Sequence, residues 1–266
     1  PPTRKEIREF LADTSEGAYE ALVDRLLAKH AYGEHMTKYW LDLVRFADTN
    51  GIHHDHFRDM TPYRDWVIRS FNENLPYDRF VVDQLAGDLY EAPSRDQLIA
   101  SGFNRLHLII DVGTALPEES FTKNVIDRVT AVGTAFMGLT VQCAVCHDHK
   151  YDPITAKDFY QLYAFFNNLD AKPETGGRSG TDFKRGLQLP YIDLTSTAQE
   201  AELSELARKI KSAETGEQRK ALEEKRDALL MTIPAAMVMK EKSEVRPAHI
   251  LVRGAYDNPG EQVQRG

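Results

Sequence analysis

No stretch of this sequence approaches the ~18–20 consecutive apolar residues that span a bilayer, so no membrane span is expected in this chain. Cysteine is nearly absent: two in 266 residues, which excludes a disulfide-stapled miniprotein. Basic residues are outnumbered, 33 Lys+Arg against 41 Asp+Glu for a net charge of −8, and no dense basic run occurs. Nucleic-acid affinity comes chiefly from Lys and Arg displacing counterions from phosphates, so neither DNA nor RNA is an expected partner. The glycines form no phosphate-cradling loop, and no serine-centred nucleophile elbow is present. Asp48, Asp55, Asp88, Glu118 and Glu119 have no spacing that builds a paired-carboxylate hydrolase site. There is no internal repeat and no low-complexity tract. An initiator Met and a signal peptide are also missing. The chain opens with Pro1-Pro2-Thr3 and runs straight into a helix signal, which reads as a piece of something longer.

What is present up to about Leu169 is mostly helical periodicity. Thr3 followed by Glu6 is a capping-box pattern, in which each residue satisfies an N–H that the first helical turn leaves free. Tyr19, Leu22, Val23, Leu26 and Leu27 recur at helical spacing, as do Met36, Tyr39, Trp40, Leu43, Val44 and Ala47, and each set makes an apolar stripe. Thr61-Pro62 and Pro76 mark further starts, because the missing proline N–H costs nothing in the first turn. Pro117 opens a longer run through Phe121, Val125, Val129 and Phe136 that ends near Gly138. Thr155 caps another through Phe159, Leu162, Tyr163 and Phe166.

Composition changes after Asn168. Residues 172–180 are a loop by their Gly and Pro content, and Leu187 to Leu194 reads as a strand. Residues 198–231 are rich in Ala, Glu, Lys, Arg, Leu and Gln and are broken at Gly216, which predicts two antiparallel helices with a solvated outer face or one interrupted helix. Residues 236–240 and 249–254 are strand-like, and Asn258-Pro259-Gly260 is a turn signature after which no closing element is expected. The expected division is 1–170 as a helical domain, 171–196 as a loop and strand linker, 197–232 as the hairpin and 233–266 as a β-rich segment that pairs with or leads into another domain.

The chemistry lies in Cys143-Ala144-Val145-Cys146-His147. C-x-x-C-H is the haem c attachment pattern: two thiols add across the vinyl groups, and the adjacent imidazole supplies an axial nitrogen to iron. Two alternatives stand beside it. The cysteines could form a redox disulfide, or half of a zinc site completed by His147 or His149. The first would want a βαβ context and the second a further ligand pair at regular spacing, and the sequence offers neither.

The sequence resembles the large multidomain cytochrome c-like proteins of planctomycetes and verrucomicrobia, the planctomycete cytochrome C family. The resemblance is carried by Trp40 to Gly51 (WLDLVRFADTNG), Tyr63 to Asn72 (YRDWVIRSFN), Gln84 to Asp88 (QLAGD), Gly102 to Arg105 (GFNR), Asp127 to Val129 (DRV), Gly138 to Pro153, and Leu251 to Gly254 (LVRG). It implies one covalent haem c at Cys143 and Cys146 with His147 as proximal ligand. It also implies export to the periplasm or another oxidising compartment, a place as the middle module of a longer protein, and other redox domains of that protein or complex as partners. It implies no particular substrate.

An electron-transfer haem needs a second strong ligand, whereas an open sixth position permits binding of a small molecule. The distal candidates are His107, Met137, and His54 and His56 of the His53-His54-Asp55-His56 run. That run reads first as a solvated loop, with a metal site or a distal haem ligand as the alternatives. His149, Lys150 and Arg128 are candidates for a haem propionate, with Arg128 alternatively in a plain helix ion pair. The expected protein is mainly α: a helical haem c module with a helical hairpin and a small C-terminal β element. Its expected function is electron transfer, with a haem oxidoreductase acting on a carbohydrate or peroxide, and a zinc or disulfide scaffold, as alternatives.

Overall fold

The computed structural model describes residues 2–175 and 179–266. Along the chain lie α1 (Arg4–Ala12), α2 (Ala18–Leu27), α3 (His30–Leu43), α4 (Thr61–Asn72), α5 (Tyr77–Ala86), α6 (Arg95–Ala100), α7 (Pro117–Val132), α8 (Ala156–Phe166) and α9 (Thr181–Lys184). They are followed by β1 (Tyr191–Asp193), α10 (Thr197–Lys211), α11 (Gly216–Leu230), β2 (Ala235–Met237), β3 (Ala248–Leu251) and β4 (Pro259–Val263). The fold is mainly α, with two small antiparallel sheets, β1–β2 and β3–β4. Of the loop expected at 172–180, Gly176, Gly177 and Arg178 lie outside the described residues.

Helix starts follow local chemistry. Reciprocal capping boxes open α1 (Thr3 with Glu6), α6 (Ser94 with Gln97), α8 (Thr155 with Asp158) and α10 (Ser196 with Gln199). Pro62 and Pro117 occupy the first turns of α4 and α7. Beyond Val132 the chain widens into one π turn, Gly133–Met137, and stops at Gly138 in the left-handed conformation.

The core joins α3, α4 and α5 through Trp40, Tyr63, Trp66, Phe71 and Phe80, with Trp66 stacked on Phe80 at 5.3 Å between centroids. Its polar atoms are chained: Trp40 Nε1 donates to Tyr63 Oη (3.0 Å), and Tyr63 Oη donates to Gln84 Oε1 (2.6 Å). On the other side, Val125, Val129 and Val132 of α7 belong to the same buried cluster as Phe159, Tyr160 and Tyr163 of α8.

The structure adds to one sequence expectation and changes another. The stripe of α2 forms a helix, yet none of its residues is buried, and Tyr19, Leu26 and Leu27 face solvent. Periodicity fixes the helix but not whether a neighbour covers it. Second, the chain does not end on a turn: the turn falls at Ala255–Asn258, and Pro259–Val263 pairs with β3 in the register Ala248 opposite Val263 and Leu251 opposite Pro259. Proline at an outer strand position removes one N–H that the ladder can spare.

Among the described residues, Arg58, Arg105 and Arg128 are buried without a carboxylate bonded to them. Arg105 Nη1 donates to Pro190 O (3.0 Å) and Val238 O (3.1 Å), and its Nη2 to Gln188 O (3.2 Å) and Leu189 O (3.3 Å). Arg58 Nη1 donates to His107 O (2.6 Å), and Arg128 Nε to Asn104 O (2.8 Å). Backbone carbonyls thus replace the carboxylates that would ordinarily balance such charges. Burial, with Arg128 and Arg58 adding repulsion, pulls Arg105 down to about 9, still cationic at neutral pH. Through these bonds, and through Met239 N donating to Ser101 Oγ (2.9 Å), the segments around β1 and β2 are fastened to the helical body.

Candidate functional site

The cysteine motif lies between α7 and α8, and the route to it is narrow. A Cβ on Gly133 would stand 2.7 Å from Val141 Cγ2, so only glycine lets Val141 pack against the end of α7. A 3₁₀ turn, Gln142–Val145, follows, with Ala144 and Val145 buried and Cys143, Cys146 and His147 exposed. One face of the turn is anchored and the other carries the chemistry.

Two long-range contacts hold the anchored face. Tyr160 Oη of α8 donates to Val145 O at 2.9 Å, and burial pushes this phenol well above its ordinary range, so it remains a donor at all ordinary pH. Gly254, just after β3, adopts φ +72°, and a Cβ there would stand 3.0 Å from both Cys146 Sγ and Val145 Cγ1. The close approach and the left-handed backbone both require glycine.

Both thiols are free and exposed. His147 Nδ1 lies 2.8 Å from Asp148 O. A carbonyl only accepts, so the proton sits on Nδ1 and the Nε2 lone pair of the neutral ring is left for a metal. His149 is different. Its Nδ1 accepts from Asp152 N (2.9 Å) and Tyr151 N (3.4 Å), and its backbone N–H donates to Ile154 O (2.8 Å), so it closes the loop leading to α8. Lys150 Nζ lies 5.0 Å from the centre of the Tyr151 ring.

The other sequence candidates lie elsewhere. Arg128 is buried, donates to Asn104 O and faces both ring nitrogens of His107 at 3.3 and 3.5 Å; the ion pair on its neighbour is instead Arg45 with Asp127. His107 is buried too, and desolvation, with Arg128 as the next cause, holds its pKa well below 6.5. His54 and His56 turn to Asp111, a residue the sequence did not single out because 55 positions separate it from His56. Met137 is exposed at the end of the π turn. Sequence reasoning also passed over Tyr160 and Gly254, since nothing local announces a contact across 15 or 108 positions.

The donor set suits haem c. Two unpaired thiols share one short turn, and the next residue offers an imidazole whose Nδ1 is held by a backbone carbonyl. Residues 1–171 match the family model described as PSCyt2, protein of unknown function (DUF1549). The chain belongs to this family. PSCyt2 is a planctomycete cytochrome C-associated family, and its description assigns it neither a haem nor a reaction. The match contains the cysteine turn, Tyr160 and the His53–His56 run, and it ends before Gly254. No curated protein and no solved structure shows a significant match to the chain.

Proposed function

We propose that this PSCyt2 chain is a c-type cytochrome module carrying one haem c on Cys143 and Cys146, with His147 Nε2 as proximal ligand, and that it passes electrons to other redox domains of a larger exported protein. The observation that supports it is the donor set itself, two free thiols and an imidazole held at Nδ1 by a backbone carbonyl on one exposed turn. A bound haem c supplies a one-electron iron couple. The residues of this chain contribute the rest: Tyr160 and Gly254 hold the turn, Asp148 O orients the proximal ring, and His149 fixes the loop behind it.

The placement of the distal candidates favours a second reading. His107 is enclosed with Arg128, and His54 and His56 face Asp111, which leaves Met137 of the four. A haem whose sixth position stayed open would bind small molecules, as an oxidoreductase acting on a peroxide or carbohydrate requires.

Expression in a host that matures cytochromes c, followed by haem staining on a denaturing gel, tests the first claim. Stain is expected at the mass of the protein and lost in Cys143→Ser and Cys146→Ser. Unstained parent protein would reject it and leave zinc or free thiols at the motif. Carbon monoxide then separates the two haem readings: an unchanged reduced spectrum is expected for a six-coordinate electron carrier, a shifted one for an open site.

A further inference from the structure

Among the described residues, a group of histidines in the loop between α3 and α4 gathers with Asp111. The loop is closed at its base, where Thr49 bridges Phe57, Asn50 N donates to His56 O (2.9 Å) and Arg58 N to Asp48 O (2.8 Å). Asp55, which the sequence places among the histidines, turns back so that its carboxylate accepts from Gly51 N (2.7 Å). Asp111 takes its place, docked beside the loop by Ile109 N donating to Asn50 O (3.1 Å) and by Thr175 N donating to Ile110 O (2.9 Å).

The geometry around Asp111 is unlike that of a simple ion pair. Its Oδ2 lies 3.2 Å from His53 Nδ1, 2.6 Å from His54 Nδ1 and 3.3 Å from His56 Nε2. The Asp111 side chain is 1% exposed, while those of His53 and His54 are 39% and 47% exposed. The donor atoms of His53, His54 and Asp111 all lie within 4.8 Å of one another. Three imidazole nitrogens therefore converge on one oxygen of a buried carboxylate, and His56 Nε2, itself buried, approaches it without making a hydrogen bond. Bonds of ~2.0–2.1 Å at tetrahedral angles set ligand atoms ~3.3 Å apart. Two of the three contacts already have that spacing, and the His54 contact must lengthen by about 0.7 Å (3.3 − 2.6).

We propose that His53 Nδ1, His54 Nδ1 and Asp111 Oδ2 bind a divalent first-row transition-metal ion of the zinc class, with His56 Nε2 as a fourth donor. Imidazole and carboxylate suit such ions, and no thiolate is needed. The site is distinct from the cysteine turn and does not depend on haem there. His56 also lines a cleft of about 680 Å³ together with Arg58, Glu174 and Gln188. The ion would border a cavity of small-molecule size.

The full chain, stripped with a chelator and dialysed, is titrated with zinc chloride, and bound metal is counted by elemental analysis. His53→Gln/His54→Gln is the main variant, since both side chains are exposed and an amide can still donate to the buried Asp111 carboxylate in the metal-free chain; its fold is checked by a cooperative melt in chelator. It is expected to bind one equivalent fewer than the parent, with affinity at this site reduced more than ~100-fold. Cys143→Ser/Cys146→Ser is expected to keep that equivalent. Cobalt in its place is expected to show ligand-field bands without sulfur charge transfer in the cysteine variant. An unchanged zinc count in the histidine variant would overturn the proposal, as would loss of all bound zinc in the cysteine variant. A parent chain that binds no zinc would overturn it too, leaving the cluster a hydrogen-bonded clasp.

Discussion

Tyr160 reaches from one helix to a single carbonyl, Val145 O, in the middle of the cysteine turn. Removing the hydroxyl in Tyr160→Phe leaves that buried acceptor without its donor, at an expected cost of about 1–3 kcal/mol. A lowered denaturant midpoint with unchanged slope would register it, and an unchanged midpoint would show that the turn holds itself. Gly254→Ala is expected to act on the same turn from the other side, pressing on Cys146 Sγ and lowering the yield of covalent haem. His107 sets a pH dependence. Its unfolded value is near 6.5 and burial depresses the folded one, so the unfolded chain takes up a proton first as pH falls. Stability present above 6.5 is therefore lost as the pH drops toward the folded value, by up to about 1.4 kcal/mol per pH unit. Denaturation midpoints measured on either side of 6.5 are expected to show this slope, and His107→Asn to flatten it.

Among the elements, those with strong local signals were legible. Thr3 with Glu6, Thr61-Pro62, Pro117 and Thr155 each place a helix start because capping is settled within four residues. Thr155→Ala is expected to cost ~1 kcal/mol. It should also loosen the loop behind His147, since Ala156 N at the same terminus donates to Asp148 Oδ1 (2.8 Å). The strand Leu187 to Leu194 shrank to three residues, and β4 was missed, because pairing is decided by a partner far along the chain. The cysteine motif stands out in the sequence for the same reason as the caps, its donors lying within five consecutive residues. Asp111 and the buried arginines do not, because their partners come from other segments. Burial differs sharply between helices: α1, α2, α10 and α11 contain no buried residue, whereas nine residues of α7 are buried. Hydrogen exchange is expected to be fastest in those four and slowest in α7; uniform protection would contradict that order.

For the molecule as a whole, the family match ends at residue 171, but the packing does not. Arg105 spends its guanidinium on carbonyls of Gln188, Leu189, Pro190 and Val238, and Ala235–Met239 lie in the same buried cluster as α4 and the turn after α6. A chain cut after residue 171 would leave a buried cation without partners and open one side of the core. It is expected to lose cooperative unfolding. A sharp transition in that fragment would show that the C-terminal part is an accessory layer. The net negative charge belongs to the first part, with 17 Lys+Arg against 26 Asp+Glu in residues 1–171 and 16 against 15 in residues 172–266; among the described residues no helix in either part is long and apolar enough to cross a membrane.

The central claim is that the turn at Cys143, Cys146 and His147 carries a covalent haem. The measurement that tests it most directly is a reduced-minus-oxidised visible spectrum of the chain purified from a host that matures cytochromes c, repeated after denaturation. A sharp low-spin reduced spectrum, with the chromophore still attached to the unfolded chain, is the expected result. A colourless chain, or one that releases its pigment on unfolding, would contradict the account.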